Sequence, residues 1–306
     1  MGFFPYDPEH PYYLQTEVKG KLNIKRIIAE QSWADPAAAA VDAIMAAETV
    51  PAAGAIYDRA VETGALPDTV NVIVSGTAGD VKAGNVVVTG TDADDQAQTE
   101  NFLLTVNTIG TIKGAKTFKT ITQVAVPAQD GAGVNIEVVA ATTDKRIMAD
   151  ADIPAAGISC YIGKIAAQPD FARCVDLTLG GVAADTNAGK ITVYGEDAAG
   201  AALSEEYTVT EDTSGKLAGA KAFKTVYRCY TNAQDGACVT LKIGVSDILG
   251  LNEKLSIDTV LYAVLNGTKE AVSPTVTVSA TVLASNTVDL SSNLDGNEVR
   301  VGFILS

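Results

Sequence analysis

The heptapeptide GAKTFKT, residues 114–120, returns as GAKAFKT at residues 219–225. Read with its upstream neighbours, the first copy comes close to a phosphate-binding loop, G-x-x-x-x-G-K-[ST]. Gly110, Lys116 and Thr117 are in register, and Ala115 stands where the second glycine belongs. Such a loop needs that glycine for close backbone approach to phosphate, and a helix after the Lys-Thr pair with its N-terminus toward the anion. The residues Thr117 to Thr122 instead alternate and are rich in β-branched side chains, which predicts a strand. The second copy also has Ala222 in place of the threonine. The stretch therefore reads as a turn followed by a core strand. Phe118 and Phe223 point inward with Val124 and Cys229 on the same face, while Lys119 and Lys224 point outward and Lys116 is a surface charge.

The echo is part of a longer duplication. Gly84 aligns with Gly189, Gly90 with Gly195, Thr99-Glu100 with Ser204-Glu205, and QDGAG from Gln129 with QDGAC from Gln234, every pair 105 apart. Upstream, VPAAG from Val50 meets IPAAG from Ile153, and Leu66-Pro-Asp meets Gln168-Pro-Asp, at offsets of 103 and 102. Each module offers short β-branched runs separated by turn residues, and Asp-Gly supplies the positive φ of a tight hairpin. The predicted fold is mainly β: two tandem immunoglobulin-like β-sandwich modules, 50–151 and 152–252, with a jelly roll or another Greek-key sandwich left open by the pattern.

The flanks differ. Residues 1–49 read as an extended aromatic arm followed by a short helix. Phe3, Phe4, Tyr6, Tyr12, Tyr13 and Trp33 crowd into the first 33 positions of a chain with seven Phe, ten Tyr and one Trp. Pro5, Pro8 and Pro11 keep the segment extended, which lowers the entropic cost of docking on a partner. Asp35-Pro36 caps and opens the alanine-rich run ADPAAAAVDAIMAAETV, predicted as helix. Residues 253–306 read as a C-terminal β segment with an Asn-Leu-Asp-Gly turn.

The chain of 306 residues carries a net charge of −15, which repels nucleic acid phosphate and argues against DNA or RNA partners. No window is apolar enough for a membrane span, and the N-terminus lacks the basic and apolar regions of a signal peptide, so synthesis in a reducing cytoplasm is expected. Cys160, Cys174, Cys229 and Cys238 match no zinc spacing and read as free thiols, Cys229 in the place of Val124, Cys174 of Val72 and Cys160 of Tyr57. A bridge from Cys229 to Cys238 across the Gln-Asp-Gly hairpin is the alternative. Asp92, Asp94 and Asp95 form an acidic loop that lacks the glycine and terminal glutamate of a calcium loop. Glu100 and Glu205 recur without a partner His, Cys or carboxylate, and a single histidine, His10, leaves the modules no catalytic triad. Asn266-Gly-Thr fits a glycosylation pattern only. No catalytic residue, cofactor site or metal site is expected, and the chain reads as non-enzymatic.

Together PDTVNVIV, GNVVVTGTD, QTE and GAKTFKT in module one, and GKITVYGED, LSEE, GAKAFKT and VSDILGL in module two, resemble a structural protein family of tailed-bacteriophage virions. The ending VSATVLASNTVDLSSNLDGNEVRVGFI is similar to that family's as well. The likeness spans residues 50–306, and module one departs from it with TTDKRIM where a DILGL stretch is expected. The resemblance implies a virion component without cofactors, of the kind that decorates or stabilises the capsid. Its partners would be the major capsid protein or further copies of itself, a trimer being the expected oligomer. A tail or fibre component, or an adhesin, that binds host surface glycans is the alternative.

Overall fold

The computed structural model describes residues 27–50, 53, 55–61, 65–143, 146–153, 158–236 and 238–305. Strands dominate, and the helical content among the described residues is limited to three-residue 3-10 turns. First come β1 (Ile27–Trp33), β2 (Ala40–Val50) and β3 (Ala55–Arg59). The first repeat gives β4 (Asp68–Gly76), β5 (Gly84–Thr91), β6 (Ala97–Leu104), β7 (Gly110–Phe118), β8 (Thr120–Val126) and β9 (Val134–Ala140). Next are β10 (Arg146–Ile153) and β11 (Ile158–Ile165). The second repeat gives β12 (Arg173–Gly181), β13 (Gly189–Glu196), β14 (Ala202–Val209), β15 (Gly215–Leu217), β16 (Ala222–Phe223), β17 (Thr225–Tyr230) and β18 (Val239–Gly250). Last are β19 (Val260–Leu265), β20 (Thr268–Lys269), β21 (Thr275–Thr277), β22 (Thr287–Asp289) and β23 (Val299–Leu305).

Alternating Val and Ile side chains explain the layers. In β4 every second residue from Val70 to Val74 is buried, as in β9 from Val134 to Val138. The sheet β10-β9-β4-β7 faces the strands β11-β8-β5-β6 across this core, to which Phe102, Phe118 and Val124 also belong. The second repeat builds the same arrangement. There β12 and β18 face β14-β13-β17-β3 across a core that includes Ile44, Met45, Tyr57, Leu177, Phe223 and Cys229.

Two features differ from the sequence reading. The alanine-rich run predicted as helix is strand β2, paired antiparallel with β18. Helix propensity is a weak prior, and a strand partner that buries Ile44 and Met45 outweighs it. The modules 50–151 and 152–252 also follow the chain, whereas the pairing does not. The second unit takes its last two strands, β2 and β3, from residues 40–59, in the places that β10 and β11 fill in the first unit. The first unit accordingly runs from 68 to 165.

The joint between the units is a parallel pairing of β3 with β11, which fuses eight strands into one sheet, β14-β13-β17-β3-β11-β8-β5-β6. The two cores lie on opposite faces of it. Ile56 packs into the first core, while its neighbours Ala55 and Tyr57 pack into the second. Strand β3 is therefore buried on both sides and shows no alternation. Tyr57 and Tyr161 stack at 5.9 Å, and Asp58 pairs with Arg228 at 2.9 Å, both nearly buried.

A third core belongs to the C-terminal segment. The sheet β1-β23-β19-β20 and the end of β18, extended by β22 and β21, enclose Trp33, Leu249, Leu251, Val299, Val301 and Phe303. Asn286, fully buried, accepts from the Leu255 and Ser279 N–H groups at 3.0 and 2.8 Å and donates to the Ser279 and Val282 carbonyls at 2.9 and 2.8 Å.

Candidate functional site

The residues kept in both repeats are the natural place to look for chemistry, and most are engaged with their own backbone. The Glu100 carboxylate accepts from the Ala115 N–H at 2.6 Å and from the Lys116 N–H at 3.3 Å. Glu205 accepts from Ala220 at 2.7 Å and Lys221 at 3.4 Å. The lysines close the clamp: Lys116 Nζ donates to the Thr99 carbonyl at 2.6 Å and Lys221 Nζ to that of Ser204 at 2.7 Å. The backbone amides of the Gly-Ala-Lys stretch do hold an anion, and the anion is the chain's own glutamate. The turn expected there is an irregularity inside β7 in the first copy and the β15–β16 link in the second, and the clamp ties it to an edge strand of the other layer, β6 or β14. A side chain at Gly114 would press on the Val70 carbonyl at 2.5 Å, and one at Gly219 on that of Val175 at 2.1 Å, so the turn's approach requires glycine.

Beyond the turn the chain changes layer. The run read as one strand through Phe118 and Val124 is two: β7 ends at Phe118 in one sheet and β8 begins at Thr120 in the other. Phe118 and Phe223, both fully buried, sit at this corner. Lys119 pairs with Asp95 at 2.7 Å, and Lys224 donates to the Asp170 carbonyl at 3.0 Å with its ammonium 5.8 Å from the Phe171 ring centre.

The second unit adds groups that the first lacks. Tyr207, in the place of Phe102, donates to the Val175 carbonyl at 2.7 Å and lies 3.0 Å from Glu205. Asp176, in the place of Asn71, accepts from the Gly219 N–H at 3.0 Å and pairs with Lys216 at 2.7 Å. Burial raises the Glu205 pKa, against the lowering pull of the Ala220 N–H and the Tyr207 hydroxyl. Burial and then the Glu205 charge push Tyr207 far up. The cluster thus holds one buried carboxylate whose oxygens already have backbone and hydroxyl partners.

The remaining candidates are also absorbed by structure. Asp92 accepts from Asp94 and Gln96 at 3.0 and 2.9 Å and shapes its own turn. Among the described residues no three His, Cys, Asp or Glu side chains come together as metal ligands. All four cysteines are free, with Cys160, Cys174 and Cys229 buried and Cys238 exposed. Strand register places Cys174 opposite Ala222, the position of Thr69 rather than Val72. Arg173 is the buried hub that sequence reading missed. It donates to the Ser246 and Ala37 carbonyls at 2.8 Å and pairs with Asp170 at 3.1 Å, binding the N-terminal segment to the second unit.

Of the six arm aromatics, Phe3, Phe4, Tyr6, Tyr12 and Tyr13 lie outside the described residues. Trp33 is 3% exposed and serves the C-terminal core. The described chain starts at Ile27, on β1, the outer strand of the sheet β1-β23-β19-β20 among the described residues. Comparisons with protein families, with curated proteins and with solved structures return no match.

Proposed function

We propose that the chain is a non-enzymatic structural component of a tailed-phage virion, a protein that decorates or stabilises the capsid. In this reading its two double-layered units are immunoglobulin-like sandwiches, and residues 1–26 anchor it to the major capsid protein or to sister subunits. The observation that carries the reading is the use made of the motifs that resemble the phage family. Glu100, Glu205, the Gly-Ala-Lys stretches and the Gln-Asp-Gly turns all go into closing the layers. A chain whose repeated polar residues are consumed in this way is suited to scaffolding rather than to turnover.

Binding of the purified chain to phage heads that lack it tests the proposal. Saturable binding, with cryo-EM density on the head surface, is the expected result. Virions with no density for this chain on the head would overturn it.

A further inference from the structure

Duplication supplies an internal control for surface side chains. The β6–β7 connection of the first unit and the β14–β15 connection of the second share one backbone. Asn107 and Asp212 both have φ of 55°, and Gly110 and Gly215 have φ of 143° and 133°. The Asn107 N–H donates to the Val81 carbonyl at 2.9 Å, and the Asp212 N–H to the Thr186 carbonyl at 3.0 Å. Their side chains diverge. The first copy presents Leu103 at the end of β6, and Val106 and Ile109 in the connection, which are 64%, 50% and 48% exposed. At the same positions the second has Thr208, Glu211 and Ser214, all exposed. The fold does not need apolar residues there, because the same turn closes without them. An exposed apolar cluster confined to one copy is a cost in solubility that a contact would offset.

We infer that this tip of the first unit receives the aromatic segment, Phe3 to Tyr13, of a second copy of the chain. Three observations select that occupant. The segment holds five aromatic side chains outside the described residues, and aromatics of this kind gain most from burial in an apolar site. It is tethered through KGKLNIKR, residues 19–26, which carries four positive charges and no acid, in a chain whose net charge is −15. Such a tether is drawn across the acidic surface of a neighbour. The geometry of the chain's exit favours another copy over its own. Ile27 lies in the C-terminal sheet, which is attached to the second unit through β18, whereas β6 is the outermost strand of the first unit. Residues 14–26 reach about 45 Å at most, and they leave from Ile27 on the C-terminal sheet, not from the sheet that carries β6. The inference rests on the self-assembling half of the function proposed above.

Sedimentation velocity on the full-length chain over a range of concentrations tests it. One variant, L103T/V106E/I109S, places the second unit's residues on the first unit's tip. The other, F3S/F4S/Y6S/Y12S/Y13S, strips the arm of its aromatics. The wild type should self-associate, and each variant should weaken association by about tenfold or more with an unchanged thermal melt. Mixing the two variants should restore a complex, since one contributes the arm and the other the tip. Should the triple variant melt early, Val106→Glu alone carries the same test. A wild type that stays monomeric, a tip variant that associates like wild type, or a mixture that forms no complex would each overturn the inference. So would a concentration-independent compaction relieved by either variant, because that would place the arm on its own copy. Failure to bind phage heads would instead strike the virion reading and leave these results standing.

Discussion

Glu205 and Glu100 do the same work in different surroundings, and the difference sets their expected cost. Glu205 is 8% exposed and also meets Tyr207, whereas Glu100 is half-buried. Replacing Glu205 by Ala should cost about 2 to 3 kcal/mol and replacing Glu100 about 1 kcal/mol, measured by urea denaturation. Gly219→Ala should be worse than either, because its Cβ would lie 2.1 Å from a backbone oxygen. The titration of these residues gives stability a shaped pH dependence. Glu205 has a folded pKa above its ordinary value of 4.5, so its charged form weighs against folding at neutral pH. That penalty fades as pH falls through the folded value toward 4.5. Asp170 acts in the opposite sense. Burial would raise its pKa, but the Ala37 N–H and Arg173 together hold it below 3.8, so its contribution is present above 3.8 and lost at lower pH. Stability should therefore rise slightly as pH falls from neutrality toward 4.5 and drop as pH falls below 3.8. Glu205→Gln should shrink the rise, leaving the part due to Asp289, whose pKa burial also raises, and keep the acid loss. The thiols give a further readout. Burial holds Cys160, Cys174 and Cys229 far up the pKa scale, so a thiol reagent should find Cys238 alone in the native chain and all four in denaturant.

Strands β2 and β3 belong to a unit whose other strands follow more than a hundred residues later. Ile44→Ala should cost about 2 to 4 kcal/mol. Amide exchange should then speed up in β18, the partner strand of β2, and in β12 of the same core, while β4 and β9 keep their protection. This arrangement also marks where the sequence could be read and where it could not. Alternation in β4, β5 and β9 is local and gave the strands, and the paired GAKxFKT stretches gave the duplication. The identity of β2 was hidden by its alanines, yet a signal was present. The run IMA at 44–46 recurs at 147–149, ahead of VPAAG and IPAAG, at the same offset of 103. Extending the repeat upstream would have assigned β2 and β10 to one structural place. The choice of β18 rather than β9 as the partner of β2 depends on contacts distant in sequence, which no local pattern encodes. The corner at Lys119 was missed for a related reason: β-branched residues continue across it while the chain changes sheet. The glutamate clamps join residues fifteen apart in both copies, but recurrence alone does not distinguish a backbone clamp from a strand start.

At the scale of the molecule the pairing is nested. The first unit is continuous from 68 to 165, the second surrounds it, and the C-terminal unit surrounds both, because β1 pairs with the final strand β23. Trp33, the single tryptophan, reports on the outermost unit. Its emission should be blue-shifted and shielded from acrylamide in the native chain. Trp33→Ala should cost about 3 to 5 kcal/mol in that unit, with the two inner cores still protected in hydrogen exchange. Nesting also fixes what happens under tension. Ile27 and Leu305 are register partners at one end of an antiparallel pair. A pull across these two residues therefore opens the ladder like a zip, one rung at a time, instead of shearing all its bonds together. The resistance to such a pull is low, and the units must yield in order from the outermost to the innermost. The same geometry brings both ends of the described chain out side by side, so a load borne elsewhere on the surface never has to pass along β1 and β23.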